Sequence, residues 1–170
     1  MRPKATARVR RSALVRGSST GWSTSEADLA SGYDNLSRIY KAQGQLEEAE
    51  KWLRKAIEID ERVGNEPKLA IRYNNLSQIY KAWGQLEEAE KWLRKAIEIG
   101  ERLGDEPSLA VDYNNLSQIY KARGQLEEAE KWLRKALALM EPKGPSAILD
   151  TLRSNLEELE KQKAQQRPSP

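Results

Sequence analysis

The sequence predicts an all-α solenoid of three helix-turn-helix units followed by a C-terminal capping helix. Three observations favour this fold class. The chain repeats itself with a period of 40 residues, apolar residues recur at helical spacing within each period, and glycine separates the two helical patterns. Because an amphipathic helix cannot bury its apolar stripe alone, successive units are expected to stack and to share a continuous core.

The repeat is strict, and its copies are nearly identical. The segment NNLSQIYKA occurs at residues 74–82 and again, unchanged, at residues 114–122. Residues 34–42 read DNLSRIYKA, which is the same segment with two exchanges. We therefore predict a solenoid over residues 26–163, with units at residues 29–68, 69–108 and 109–148.

The first helix of each unit carries its apolar residues on one face. In the first unit, Leu29, Tyr33, Leu36 and Tyr40 follow one another at spacings of four, three and four residues. Gly44 then ends the pattern, since glycine readily adopts the left-handed conformation that closes many helices. The same spacing recurs in the next two units, so each is predicted to begin with a helix of this kind.

The second helix of each unit carries another apolar stripe. In the first unit this stripe consists of Leu46, Ala49, Leu53, Ala56 and Ile57. Gly64 is predicted to close the helix, and Pro67 suits the first turn of the helix that follows. Each period therefore reads as two helices joined by short turns.

A half unit follows the third period. Residues 149–163 repeat the first-helix pattern, but Arg153 and Glu160 stand where the third unit has Tyr113 and Tyr120. Terminal repeats of solenoids need such a polar outer face. We therefore predict a capping helix at residues 146–163 and a frayed C-terminus at residues 164–170.

The first 25 residues differ in composition from the rest of the chain. They hold six basic residues and no acidic one, although the whole chain has a net charge of only +3. We predict a basic disordered tail at residues 1–25. The same composition fits an organellar transit segment or a polybasic arm for nucleic acid, so the expected cytoplasmic location has an organellar alternative.

The composition argues against catalysis, metal binding and membrane insertion. The chain contains no His and no Cys, which removes the commonest general base, the commonest transition-metal ligand and thiolate chemistry. No apolar run approaches the roughly 20 residues that span a bilayer. The Glu clusters at 47–50, 87–90 and 127–130 are followed by Lys and Arg at helical spacing, which indicates a solvated helix face. We expect no enzyme and no cofactor.

The repeat resembles a known family at specific positions. The matching residues of the first unit are Leu36, Tyr40, Gly44, Ala49, Leu53 and Ala56. Their spacing resembles that of the tetratricopeptide repeat (TPR), in a 40-residue variant similar to the repeats of kinesin light chains and spindle-orientation adaptors. Two departures are Ser37, where the family usually has Gly, and Pro67, which lies later than the family's usual Pro. Both departures fit a lengthened second helix.

The resemblance implies a right-handed superhelix that acts as a non-enzymatic adaptor or scaffold. In that family the far face of each first helix lines a concave groove, which holds an extended peptide of a partner protein. Asn amides complement a peptide backbone, and a row of Lys favours an acidic segment. The predicted contact residues are Asn35, Asn75, Asn115, Asn155, Asn74, Asn114, Arg38, Gln78, Gln118, Lys41, Lys81 and Lys121.

Two points about this groove stay open in the sequence. Duplication alone could explain why the Asn pair recurs, in which case these residues are solvated surface copied with the repeat. Trp83 stands where the other units have Gln43 and Arg123, so it is either an exposed anchor for a partner or the product of drift.

Two other function classes also fit the sequence. Nearly identical units could assemble between chains through the N-terminal face of the helix at residues 29–42, giving dimers or stacked arrays. Helical repeats can also bind RNA, although such repeats vary their contact residues between units and this groove is nearly uniform. Nucleic acid binding is therefore expected, if at all, from the basic tail.

Overall fold

A computed structural model describes the backbone of residues 19–166 and the side chains of residues 26–166. This part of the chain forms seven α-helices and a short 3-10 helix at Glu141–Lys143. The α-helices are α1 (Ser19–Ala42), α2 (Leu46–Val63), α3 (Glu66–Ala82), α4 (Leu86–Leu103), α5 (Glu106–Ala122), α6 (Leu126–Met140) and α7 (Ala147–Gln166). The predicted all-α solenoid of three helical pairs and a capping helix is confirmed.

The turns between helices use the residues that the sequence indicated. Gly64 lies in the left-handed region, at φ +70°, and its N–H donates to the Asp60 carbonyl. The Asn65 side chain then caps α3 by accepting from the backbone N–H of Lys68 at 3.4 Å. Pro67 lies in the first turn of α3, as predicted. These local signals fix where one unit ends and the next begins.

The helices stack in chain order. The two helices of each unit pack against each other, and each second helix also packs against the first helix of the next unit. The centre of each contact is aliphatic, with Leu53, Leu76, Leu93 and Leu116 fully buried. The main hydrophobic core therefore runs from α2 to α7, and a smaller cluster of Ala30, Ala56 and Ile59 lies between α1 and α2.

The tryptophan of each second helix has a structural role. Its ring packs against a tyrosine of the first helix in the same unit, with centroids 5.3 to 5.4 Å apart. The three pairs are Tyr33–Trp52, Tyr73–Trp92 and Tyr113–Trp132. Each pair joins the two helices of a unit at their flank.

The C-terminal end of the solenoid is covered. Helix α7 packs on α6 and α5, and its Leu152 and Leu159 are each 1% exposed. The helix continues to Gln166, so residues 164–166 are helical where the sequence analysis expected a frayed end. No proline or glycine interrupts this stretch, and adding a residue to an existing helix is favourable. Residues 167–170 lie outside the described part of the chain.

The N-terminal helix is longer than expected. Helix α1 begins at Ser19, so residues 19–25 are helical although the sequence analysis placed them in a disordered tail. Helix propagation accounts for the difference, because no proline lies between Ser19 and the rest of α1. The remainder of the predicted tail, residues 1–18, lies outside the described residues.

One apolar face of α1 is uncovered among the described residues. Leu29, Leu36 and Ile39 are 48%, 36% and 53% exposed, whereas Leu76 and Ile79, which hold the last two positions in the next unit, are 0% and 1% exposed. The difference arises because α3 packs against the preceding α2, while no described helix precedes α1. None of the helices from residue 19 to 166 combines the length and apolarity needed to cross a membrane.

Candidate functional site

The first helices α1, α3, α5 and α7 lie side by side and are joined by asparagine side chains. In each case an Asn amide donates to the side chain that lies 41 residues earlier, on the preceding first helix. The bonds are Asn75 Nδ2 to Asp34 Oδ1 at 3.1 Å, Asn115 Nδ2 to Asn74 Oδ1 at 3.3 Å and Asn155 Nδ2 to Asn114 Oδ1 at 2.8 Å. The predicted Asn row is therefore a contiguous feature of one surface.

These bonds give the two adjacent asparagines different tasks. In the pair Asn114–Asn115, the first side chain accepts from the next helix and the second donates to the previous one. The donating amide of Asn115 uses one of its two N–H groups in this way, and Asn114 uses its carbonyl oxygen. Asn35 has no first helix before it in the described residues and is exposed. The amides thus hold the units together and still present polar atoms to the groove.

A cavity of about 520 Å³ lies among α3, α5, α6 and α7. Five of the predicted contact residues line it, and the rest of its wall comes from residues that the sequence analysis did not single out. The five are Lys81, Asn114, Gln118, Lys121 and Asn155, and the remainder includes Ser117, Leu133, Leu159 and Gln162. The structure therefore brings together, at one place, an amide pair, two lysines and an apolar floor.

A second cavity of about 330 Å³ lies between α1 and α3. Three predicted contact residues line it, namely Arg38, Lys41 and Asn75, together with Ser37 and Ile79. The two cavities hold equivalent parts of the repeat, since Lys41, Lys81 and Lys121 share one position in successive units. The groove thus has the same chemical character near both of its ends.

The lysines of the groove are poorly neutralised. Burial lowers the pKa of Lys41, and burial together with the charge of Lys41 lowers the pKa of Lys81. Lys81 Nζ donates to Gln118 Oε1 at 2.5 Å, which satisfies a hydrogen bond and leaves the charge uncompensated. Among the described residues, Lys121 alone of these three lysines approaches an acid, with its Nζ 3.8 Å from Glu158. An anionic group in the groove would relieve this repulsion.

Some predicted contact residues lie outside both cavities. Asn35 is exposed, while Asn74 and Asn115 are held in the bonds between helices. Gln78 is half-buried, and its Nε2 has no hydrogen-bond partner within the described residues. Eight of the twelve predicted contact residues therefore line the two cavities, and the other four do not.

Trp83 is less exposed than a protruding anchor would be. Its ring lies 5.7 Å from the ring of Tyr80 and packs against the core cluster, and the side chain is half-buried. At the same position in the next unit, Arg123 Nη1 donates to Glu90 at 2.5 Å. This position faces the second helix of the preceding unit. Trp83 packs there against apolar side chains, whereas Arg123 forms an ion pair.

A buried carboxyl group lies near the groove and was not predicted from the sequence. Asp112 is 6% exposed and accepts a hydrogen bond from Asn74 Nδ2. Burial, with a contribution from the charge of Asp105, raises the pKa of Asp112 to about 7. The signal available in the sequence was the contrast with Gly32 and Arg72, the residues at the same position in the first two units. Within residues 26–166 no group of His, Cys, Asp or Glu side chains is placed to hold a metal ion.

Solved structures with the same fold come from several organisms. The N-terminal domain of stress-induced protein-1 (STI-1) from C. elegans is 24% identical, with a TM-score of 0.62, and the match covers 79% of this chain and 97% of that one. A kinesin light chain protein of P. anserina with nearly identical TPR-like repeats is 23% identical, with a TM-score of 0.63, over 90% of this chain and 72% of that one.

A third similar structure contains a bound partner. The TPR2AB domain of yeast Sti1, solved as a complex with pHSP90, is 22% identical with a TM-score of 0.66, and the match covers 84% of this chain and 52% of that one. No curated protein matches the sequence significantly. The family model of the MalT-like TPR region matches residues 13–162, which is most of the chain. This match agrees with the helical pairs and their stacking, and the chain belongs to the family of MalT-like TPR proteins.

Proposed function

We propose that this protein is a non-enzymatic interaction scaffold that binds an extended, acidic peptide segment of a partner protein in the groove formed by α1, α3, α5 and α7. The observation that carries the proposal is the cavity of about 520 Å³ in which Lys81, Lys121, Asn114 and Asn155 converge. Its apolar floor, formed by Leu133 and Leu159, would accept an aliphatic side chain of the same segment.

The polar atoms of the groove support a backbone-directed mode of binding. The second N–H groups of the Asn115 and Asn155 amides would donate to carbonyl groups of an extended ligand. The half-buried lysines would select an acidic side chain or a terminal carboxylate. The complex of yeast Sti1 with pHSP90 is a precedent for partner binding on this fold.

The test is selection of peptides on the full chain. A random peptide display library is panned, and the enriched peptides are measured by fluorescence polarisation against the parent and the variant Lys81→Met/Lys121→Met. The matched control is Lys51→Met/Lys91→Met, which removes the same charge from the exposed outer helices α2 and α4. We expect acidic peptides whose affinity falls tenfold or more on the groove variant and less than twofold on the control.

Two results would contradict the proposal. One is a set of peptides that binds the groove variant as tightly as the parent, because the contact surface would then lie elsewhere. The other is a panel that shows no enrichment over an unrelated helical protein. Circular dichroism of both variants must match the parent, so that a loss of affinity reports the groove and not unfolding.

A second candidate function is self-association through α1. The uncovered residues Leu29, Leu36 and Ile39 support it, because Leu76 and Ile79, the equivalents of the last two, are buried. The covered C-terminal end argues for a closed dimer over an open array. Sedimentation at increasing concentration, with Leu36→Glu as the variant, tests this: a dimer that the variant disrupts supports it, and a monomer at 100 µM contradicts it. Nucleic acid binding by residues 1–25 stays a prediction.

A further inference from the structure

Among the positions that differ between the nearly identical units, three meet at the junctions between units. The first is position 34, with its counterparts 74 and 114 on the first helices. The second lies near the end of each second helix, at 60, 100 and 140. The third lies on the next first helix, at 72, 112 and 152. Each junction therefore brings together one residue of each kind.

The first junction is an ionic cluster. The Arg72 guanidinium forms an ion pair with Asp60, and the two residues are only 3% and 1% exposed. Burial lowers the pKa of Arg72, and the nearby Asp34 carboxylate opposes that shift. A buried arginine thus faces two acidic residues, both contributed by the preceding unit.

At the second junction the buried first-helix residue is acidic, and the residues of the preceding unit are uncharged. The buried first-helix residue is Asp112, and the preceding unit contributes Asn74, which donates to that carboxyl group, and Gly100, which has no side chain. A Cβ at Gly100 would lie 3.0 Å from Leu109 Cδ2, so the space of the missing side chain is filled by Leu109. No acidic residue stands where Asp60 stands in the first junction.

The third junction is apolar. Leu152 of α7 and Met140 of α6 are 1% and 4% exposed. The third residue, Asn114, accepts a hydrogen bond from Asn155. The buried residue of each first helix thus changes from arginine to aspartate to leucine, and the residues of the preceding unit change with it. Most of the remaining residues are identical between units and cannot distinguish one junction from another, although Trp83 and Arg123 also differ at one position.

We propose that these three positions specify the order in which the units stack, so that each first helix fits only the unit that precedes it in the chain. On the first unit, Asp112 would join Asp34 and Asp60, which places three carboxyl groups in one buried site. On the second unit, Arg72 would meet Asn74 and Gly100 and would have no acidic partner. A buried charge without a partner strongly destabilises a protein, so both arrangements are disfavoured.

The same three junction positions also affect pairing between different molecules of the protein. Nearly identical repeats can exchange between two copies of a chain, because a foreign unit offers the same apolar surface as the correct one. The charges at each junction restrict such exchange to units that hold the same place in the two chains. The order of the units in turn fixes the order of the groove residues that differ between units, such as Arg38 and Gln78.

The test converts the first junction into the second within the full chain. Arg72→Asp alone places a third carboxyl group beside Asp34 and Asp60, and we expect its melting temperature at pH 8 to fall by more than about 10 °C. The triple variant Asp34→Asn/Asp60→Gly/Arg72→Asp reproduces the second junction without adding a Cβ, and at least half of the loss should be recovered. Arg62→Asp, an equal charge change at an exposed side chain, controls for net charge and should cost less than about 3 °C.

A second variant tests the order itself. Arg72→Asp/Asp112→Arg exchanges the two buried residues and leaves the composition of the chain unchanged, and we expect it to unfold at least 10 °C below the parent. The proposal is overturned if this exchange melts within about 3 °C of the parent, or if the triple variant is no more stable than Arg72→Asp. Failure of Arg72→Asp to fold supports the proposal when the triple variant folds.

Discussion

Asn155 Nδ2 donates to Asn114 Oδ1 at 2.8 Å, and this bond attaches the capping helix to the last complete unit. Asn114 is 9% exposed, so its carbonyl group would lose its hydrogen bond in a largely buried place if Asn155 were removed. The residues that the sequence marked as a ligand-binding row are therefore also part of the contact between units. The contribution of these amides to stability can be measured separately from their contribution to binding. Asn35 holds the same position in the repeat and has no such bond among the described residues.

Asn155→Ala is expected to destabilise the protein by about 1–2 kcal/mol, because it leaves the Asn114 carbonyl unpaired. The matched control is Asn35→Ala, whose side chain is exposed. We expect the control to be neutral or to stabilise by up to about 0.6 kcal/mol, since Ala is the better helix former. Urea unfolding followed by circular dichroism measures both. Equal losses for the two variants would show that the bond to Asn114 contributes nothing.

Leu76→Ala and Leu36→Ala compare one position of the repeat inside and at the end of the solenoid. Leu76 is 0% exposed and Leu36 is 36% exposed. We expect the first change to cost about 3 kcal/mol, from lost burial and a cavity, and the second about 1 kcal/mol. Urea unfolding of both variants is the measurement. A cost for Leu36→Ala that equals the cost for Leu76→Ala would show that the end face is covered in solution.

Asp112→Asn is expected to remove a pH dependence of stability. The pKa of Asp112 is raised from 3.8 to about 7 in the folded protein, so the folded state holds a proton that the unfolded state releases. Stability should therefore fall as the pH rises from about 4 to about 7, by roughly 2–4 kcal/mol in total, and change little above that range. Because the Asn side chain stays neutral, the Asp112→Asn variant should be more stable than the parent at pH 8.

Urea unfolding at intervals from pH 5 to 8.5 measures this effect. The control is Asp150→Asn, an exposed carboxyl group on α7, which should leave the profile of the parent unchanged. If the parent and Asp112→Asn lose stability in parallel across this range, then Asp112 titrates at its ordinary pKa and the junction does not hold its proton.

Gly64→Ala and Gly32→Ala should have effects of opposite sign. Gly64 ends α2 at φ +70°, where a side chain is strained, so we expect a loss of about 1–2 kcal/mol. Gly32 lies within α1, and a Cβ there would meet no atom within 4 Å, so Ala should stabilise the helix by about 0.5–1 kcal/mol. Thermal unfolding of the two variants checks the signs, and a stabilising Gly64→Ala would refute the assigned turn.

The periodic features of the fold could be predicted from the sequence because they depend on local chemistry. The spacing of Leu36 and Tyr40, the punctuation by Gly44 and Gly64 and the 40-residue period specify helices, turns and units wherever the chain folds. The positions of the groove lysines followed from the same periodicity. The first residue of α1 did not, since helix propagation beyond the last apolar position leaves no mark in the pattern.

By itself, the sequence determined that this chain forms stacked helical pairs, and it named the polar residues that share one surface. Only the tertiary structure decided that those asparagines bond to one another, that Trp83 is half-buried against the core and that Asp112 is buried at a junction. The physical reason is that each of these facts depends on a neighbour about 40 residues away or on exclusion from water. Helical periodicity says which way a side chain points, and only the packed neighbour determines what it meets.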